Sequence, residues 1–109
     1  MANTPKRLIN GSTLTGTAAT YYTSPDGTKT VIKKLPIVNT TAGAVACTIY
    51  LVVSGGTAGS TNTIAYSKSV AAGETWSCPD AENMVLEAGG TIQALGTGLT
   101  IMASGIQIT

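Results

Sequence analysis

AVACTIYLVV, residues 44–53, has the strongest strand pattern in the chain. Every second residue from Val45 to Val53 is apolar, which is the alternation of a strand with one face in a core. The intervening residues, which include Tyr50 and Val52, are nearly as apolar. We expect such a strand to be covered on both faces, by the core on one and by a loop or a neighbouring subunit on the other. Tyr50 and Val52 are therefore candidate residues of an assembly interface.

Short apolar segments and turn sequences alternate on both sides of this strand. Ser24-Pro25-Asp26-Gly27 is a predicted turn, since Pro fixes its own φ and Gly tolerates the conformation that a tight turn requires. Strands and turns at this spacing predict an all-β fold, a single antiparallel β-sandwich or jelly roll of about eight strands. We expect the sandwich to occupy residues 13–109, with residues 1–12 as a polar N-terminal arm.

Two of the predicted strands contain an irregularity. Pro36 lies within the predicted strand 29–39 and has no N–H to donate, so we expect it at an edge or a bulge. In the last strand, Ile106 has the opposite parity from Ile101. A β-bulge near Ser104-Gly105 would return both isoleucines to one face of the sheet.

The aromatic and cysteine residues are expected mainly in the core. Tyr21 and Tyr22 are adjacent and should point to opposite faces of a strand, one into the core and one to the surface or an interface. Trp76 is expected to fill core volume, because the chain has no Phe. Cys47 and Cys78 are expected to be reduced and buried, with a disulfide between strands as the alternative.

The low charge of the chain excludes several partners. Charged residues make up 10% of the 109 residues and the formal net charge is +1, whereas an average protein has about 25% charged residues. A nucleic-acid-binding protein that relies on a broad basic surface is thereby excluded. The sequence shows no signal-peptide pattern and no apolar run long enough to span a bilayer as a helix. We expect no nucleic-acid partner, no membrane partner and synthesis in a cytoplasm.

The charges are unevenly distributed along the sequence. The first half contains most of the basic residues, and the second half contains most of the acidic ones. If the halves form different faces, the domain has a basic side suited to contact between copies or to an acidic surface. Interleaved strands would instead mix the charges, and both arrangements stay open here. The basic candidates for an interface are Lys6, Arg7, Lys33 and Lys34.

The sequence offers no constellation for catalysis. It contains no His, which excludes Ser-His-Asp and Cys-His pairs and imidazole metal ligands. Asp80 and Glu82 are close in sequence, but loop carboxylates are usually solvated rather than placed across a cleft. We therefore expect a protein that is not an enzyme and has neither a cofactor nor a metal.

A series of turn and strand motifs resembles a group of small β-sandwich virion structural proteins of tailed bacteriophages. The motifs are LTGTAATYYT (14–23), PDGT (25–28), VNTTA (38–42), IYLV (49–52), AGET (72–75) and LEAGGTI (86–92). The resemblance implies a structural protein of the virion, made in the host cytoplasm, most simply a decoration or cement protein of the capsid. It also implies a homo-oligomer, with a trimer as one arrangement, that docks on the major capsid protein or another virion protein.

The assembly interface predicted from these considerations contains Lys6, Arg7, Tyr22, Lys33, Lys34, Tyr50 and Val52. Two alternatives remain. A component of the tail, neck or fibre base would have the same composition. A carbohydrate-binding adhesion module would instead stack sugar rings on aromatic side chains, with Tyr21 or Tyr22, Tyr66 and Trp76 as candidates.

Overall fold

The chain folds into two antiparallel sheets packed face to face, because most of its segments bury alternate side chains. The computed structural model describes residues 3–109. Over this range the predicted all-β sandwich is confirmed, with ten strands rather than about eight. The strands are β1 (Asn3–Thr13), β2 (Ala19–Thr23), β3 (Lys29–Lys34), β4 (Ile37–Asn39), β5 (Val45–Val52), β6 (Thr63–Val70), β7 (Thr75–Trp76), β8 (Val85–Leu86), β9 (Thr91–Leu95) and β10 (Leu99–Ile108).

One sheet has six strands and the other has four. In the six-stranded sheet, β10 pairs with β1 on one side and with β3 and β4 on the other. β8 pairs with β3, and β7 pairs with β4. The four-stranded sheet has the order β2-β9-β5-β6. At one lateral side of the sandwich β1 contacts β2. At the other, β6 faces β7, where Lys68 Nζ lies 5.7 Å from the centroid of the Trp76 ring.

The core lies between the inner faces of the two sheets. It is built mainly from aliphatic side chains, and Trp76 packs against it as expected. The largest apolar side chains in it, each less than 2% exposed, are Leu14, Ile32, Leu35, Ile37, Ile49, Ile92, Leu99, Ile101 and Val70.

Pro36 divides the predicted strand 29–39 into β3 and β4. A proline has no N–H for a ladder, so the pairing with β10 is interrupted at this point. The Pro36 carbonyl still accepts a hydrogen bond of 3.1 Å from the Met102 N–H. The expectation of an irregularity at Pro36 is confirmed, and it accounts for one of the additional strands.

The predicted arm, by contrast, is a strand over the residues that the structure describes. β1 pairs with β10 along its length, from Asn3 opposite Ile108 to Thr13 opposite Thr100. The physical reason is that Leu8 and Ile9, which are only 8% and 3% exposed, reach the core only if the chain joins the sheet. Residues 1 and 2 of the predicted arm lie outside the described residues.

Removal of residues 1–9 is expected to destabilise the fold and not merely to remove a contact arm. Fully burying one large aliphatic side chain is worth about 1.5–3 kcal/mol, and this truncation removes two, Leu8 and Ile9. Urea denaturation should therefore show a loss of about 4 kcal/mol. Removal of residues 1–4 is the control, since Asn3 and Thr4 are exposed. Equal stability of both truncated proteins would show that β1 is dispensable.

The bulge predicted near Ser104-Gly105 is present, but the extra residues lie in the neighbouring strands. Ser104 is opposite Arg7 in β1, and Ala103 is opposite Ile9, so Leu8 is the additional residue there. In β3, Lys33 is the additional residue, because Ser104 and Gly105 are opposite Lys34 and Ile32.

β10 therefore keeps its alternation without a break. Ile101, Ala103 and Gly105 face the core, whereas Ile106 and Ile108 lie on the outer face. The expectation that the bulge returns Ile106 to the face of Ile101 is wrong, because β10 itself contains no inserted residue.

A buried asparagine links the two sheets. The Asn39 side chain in β4 is fully buried, and its amide group donates hydrogen bonds of 2.9 Å to the Gly43 carbonyl and 2.8 Å to the Val70 carbonyl. Its Oδ1 accepts from the N–H and the hydroxyl of Thr41, at 2.9 and 2.6 Å. All four hydrogen-bonding positions of the amide are satisfied. Asn39 therefore fixes the turn at 40–43 and connects β4 to the end of β6.

Asn39→Ala is expected to lower the free energy of unfolding by about 3 kcal/mol, because it leaves several buried polar groups without partners. Chemical denaturation of both proteins measures the difference. Asn3→Ala, at an exposed position of β1, is the matched control and should change the stability by no more than about 0.5 kcal/mol. A loss as small as that for Asn39→Ala would contradict the role assigned to the buried amide.

The two cysteines are free and buried, so the prediction of reduced thiols is confirmed in the structure. Burial raises the pKa of the Cys47 thiol to about 12, with a further contribution from nearby Cys78. Burial also raises the pKa of Cys78, to about 11. Both thiols are therefore neutral and unreactive at physiological pH in the folded protein.

At pH 8, a thiol reagent is expected to modify neither cysteine in the native protein and both in denaturant. The native thiols keep their protons above the value of 9.0 at which ordinary thiols ionise. The native state thus binds more protons than the unfolded state, and the free energy of unfolding should fall as the pH rises through 9 toward 11. The double variant Cys47→Ala, Cys78→Ala should lose this part of the slope. An unchanged slope would contradict the assignment to the thiols.

Candidate assembly surface

An apolar row crosses the outer face of the six-stranded sheet. Val85 in β8 is opposite Val31 in β3, Val31 is opposite Ile106 in β10, and Ile106 is opposite Pro5 in β1. Directly paired residues of antiparallel strands share a face, so these four side chains form one continuous row. Val31 and Ile106 are half-buried, and Pro5 and Val85 are exposed. We call this set the apolar row.

Basic side chains lie on both sides of the apolar row. Lys29 is opposite Ile108 on one side of it, and Lys34 is opposite Ser104, which is opposite Arg7, on the other. Lys33 and Lys34 are both exposed although they are adjacent, because the bulge in β3 changes the alternation between them. The outer face therefore combines an apolar centre with a basic rim.

Acidic residues of the same chain partly balance this rim. Lys29 Nζ is 3.7 Å from a carboxylate oxygen of Glu87, and Lys34 Nζ is 3.4 Å from one of Glu82. Lys33 Nζ donates a 3.1 Å hydrogen bond to Oδ1 of Asn83. The interleaved strands thus bring the basic and acidic halves of the sequence together at the border of β3 and β8. These exposed pairs contribute little to stability.

Arg7 is the exception on this rim, since it forms no ion pair with any residue between 3 and 109. Lys6, its neighbour in β1, is opposite Gly105 and therefore lies on the other side of the sheet. Of the predicted basic candidates, the structure thus brings Arg7, Lys33 and Lys34 onto one face and separates Lys6 from them.

Tyr22 belongs to a polar chain between the two sheets and not to the outer surface. Its hydroxyl accepts a 2.8 Å hydrogen bond from Nε2 of Gln107 and lies 2.9 Å from the Thr30 hydroxyl, which lies 2.9 Å from that of Ser24. The Ser24 hydroxyl donates to the Thr28 carbonyl at 2.8 Å. Because this last acceptor is fixed, the hydroxyls donate in one direction, from Tyr22 to Thr30 to Ser24. The Tyr22 hydroxyl therefore uses its donor and an acceptor position in hydrogen bonds within its own chain.

Tyr50 and Val52 lie on the outer face of the four-stranded sheet. Tyr50 is opposite Gln93 and is half-buried. Val52 is only 2% exposed, since the chain that follows it turns back at Gly56 and contacts its side chain. We expect either a loop or a neighbouring subunit to cover this face, and at Val52 it is the loop that does so. Val52 is thus covered by its own loop within one chain and also lines the small pocket between the end of β5 and β8, and its predicted contact with a neighbour stays a prediction.

The aromatic side chains do not form one stacking platform. Tyr21 is an additional residue in β2, and this bulge lets both Tyr21 and Tyr22 pack against the core. The expected exposure of one of them is therefore wrong. Tyr66 is 80% exposed, but it lies on β6, and three strand spacings, about 14 Å, separate β6 from β2. Trp76, packed against the core and Lys68, is part of the other sheet.

The apolar row itself is a feature that the sequence reasoning missed. An inserted residue in β10 would place Ile106 in the core, as expected from the sequence. The strict alternation of residues 99–108 contained the correct signal, since without an insertion it places Ile106 and Ile108 outward.

Comparisons with known proteins give no match to a family model, to a curated protein or to a solved structure. No helix within residues 3–109 is long and apolar enough to cross a membrane. In the same part of the chain, no three His, Cys, Asp or Glu residues come together as potential metal ligands. The geometry of the surface is therefore the basis for a functional assignment.

Proposed function

We propose that this chain is a non-enzymatic structural protein of a tailed-bacteriophage virion, most simply a decoration or cement protein. In this proposal the outer face of the six-stranded sheet docks on the capsid shell. The observation that supports it is the apolar row with its basic rim. The virion as the location follows from the resemblance of the turn and strand motifs described above.

The composition of this face suits a protein partner with an apolar centre and an acidic rim. Burial of partly exposed aliphatic side chains such as Val31 and Ile106 favours binding, because it removes apolar surface from water. Rim charges such as Arg7 and Lys33 mainly increase the rate and specificity of association. A regular sheet presents these groups on a rigid surface, so little conformational entropy is lost on docking.

A component of the tail, neck or fibre base could use the same face. The two locations differ in copy number, which quantitative mass spectrometry of purified particles measures against the major capsid protein. A decoration protein is expected to approach the copy number of the shell subunit, whereas a tail component is expected at a small fraction of it.

Val31→Thr is expected to weaken binding to undecorated particles by about tenfold, a loss of about 1.4 kcal/mol, because it places a hydroxyl at the centre of the docking face. Val38→Thr is the matched control, since Val38 is also half-buried and, opposite Thr100 on the outer face, lies away from the apolar row. Cosedimentation with particles measures the affinity.

A second pair of variants tests the rim. Arg7→Glu is expected to slow association, and raised salt should reduce the difference from the wild type. Lys6→Glu makes the same change of charge in the adjacent residue but on the other side of the sheet, and should have a smaller effect. Equal effects within each pair of variants would contradict docking through the apolar row and its basic rim.

A further inference from the structure

The exposed large apolar side chains of the described chain are concentrated on one lateral side of the sandwich. They are Val53, Tyr66, Met84 and Val85, which are 72%, 80%, 40% and 50% exposed. Tyr66 lies on β6, the edge strand of the four-stranded sheet, and Val85 lies on β8, an edge strand of the six-stranded sheet. We call these four residues the lateral patch. Clustering of exposed apolar groups on one side is typical of a protein interface.

Tyr66 is the projecting part of the lateral patch. Two additional residues in β6 disturb its pairing with β5, and Ser67 takes a left-handed conformation with φ of 48°. The Ser67 N–H donates to the Thr48 hydroxyl at 3.1 Å, which anchors the bulge. The bulge next to Tyr66 also breaks the flat edge that another strand would need for pairing. A partner therefore meets a protruding aromatic ring and not an open ladder.

A small hydrophobic pocket forms the complementary part. It lies where the end of β5 meets β8, has a volume of about 160 Å³, and is lined in part by Val53, Met84, Val85 and Glu87. The exposed side chains of the lateral patch other than Tyr66 all line this pocket. One side of the molecule thus carries both an aromatic projection and an apolar recess.

We propose that the occupant of the lateral patch is a second copy of this chain, related by a twofold axis. Tyr66 of each copy enters the pocket beside Val53 of the other, so the same surface serves both partners. The charges permit this pairing. Lys68, near Tyr66, is exposed and belongs to no ion pair among residues 3–109. Glu87 at the pocket pairs with Lys29 at 3.7 Å, but its side chain is 68% exposed and its carboxylate can accept a second cation. In the dimer each Lys68 approaches a Glu87 of the other copy.

The opposite lateral side has a composition that opposes strand pairing between two copies. There, β1 presents Pro5, Lys6 and Arg7, all exposed. A proline and positive charges on an edge strand prevent pairing with another chain. The two sides of the sandwich therefore differ in chemistry, and the side with β6 and β8 is the one suited to a second copy.

This inference goes beyond the proposed function, which concerns docking on the shell, and its test uses the full chain. Tyr66→Ser removes the projection, and Val53→Glu places a charge at the pocket. Neither substituted residue belongs to the apolar row, although Val85 belongs to both the row and the pocket. Each variant alone is expected to raise the dimer dissociation constant by about thirtyfold or more, as for a central aromatic of an interface. Sedimentation equilibrium measures the constant. Thr20→Glu, an exposed change on β2 at the opposite edge of the same sheet, should leave it unchanged.

A mixture of the two variants provides the decisive test. A heterodimer of the Tyr66→Ser and Val53→Glu proteins retains one intact contact, Tyr66 of the second protein in the pocket of the first. Neither homodimer retains any. We expect the mixture to associate more tightly than either variant alone and less tightly than the wild type. The heterodimer keeps one of the two Tyr66 contacts that the wild-type dimer has. Circular dichroism confirms that each variant is folded.

Three results would overturn the inference. They are a wild-type protein that stays monomeric at all concentrations, variants that dimerise as the wild type does, and a mixture no tighter than its components. Binding to particles through the outer face of the six-stranded sheet is measured separately with Val31→Thr and Val38→Thr. A failure of the dimer and a failure of the proposed function are thus distinguishable.

Discussion

The additional residues opposite Ser104 are the constraint on which both the core and the candidate surface depend. Ser104 occupies one position in β10, yet next to it β1 and β3 each contain one residue more than the ladder needs, Leu8 and Lys33. The insertion in β1 allows Leu8 and Ile9 to be buried together, and the one in β3 leaves Lys33 and Lys34 both exposed. A single irregular point of the sheet thus gives a packed interior and a basic rim in the same region.

Buried polar groups then specify how the sheets are aligned. Asn39 connects β4 to the turn at 40–43 and to β6 with four hydrogen bonds. The hydrogen-bonded hydroxyls of Tyr22, Thr30 and Ser24 connect β2 to β3 in the same way. Gln107 of β10 donates a further hydrogen bond to the Tyr22 hydroxyl. A displacement of either sheet would break these hydrogen bonds and leave buried polar groups unsatisfied, which is costly in a region of low dielectric constant. An apolar core alone would permit more than one alignment.

The sequence was sufficient for the fold class and for several local features, and the reason is that both rest on local chemistry. The alternation in β5 and the missing N–H of Pro36 act over a few residues, so their consequences could be predicted. Two features could not be predicted: which strand carries an inserted residue opposite Ser104, and whether Val52 is covered by its own loop. Both depend on partners distant in sequence. The same limitation applies to the surface, where Arg7 and Lys6 were grouped by proximity although β1 places them on opposite sides.

The position of β10 has a consequence for the order of folding. β10 is the last strand of the sequence and pairs with β1, β3 and β4, which come from the first half. The six-stranded sheet is therefore incomplete on the ribosome until residues 99–108 have emerged, and the half-formed protein exposes the inner face of β3. Such long-range pairing is characteristic of slow folding and of sensitivity to aggregation during synthesis.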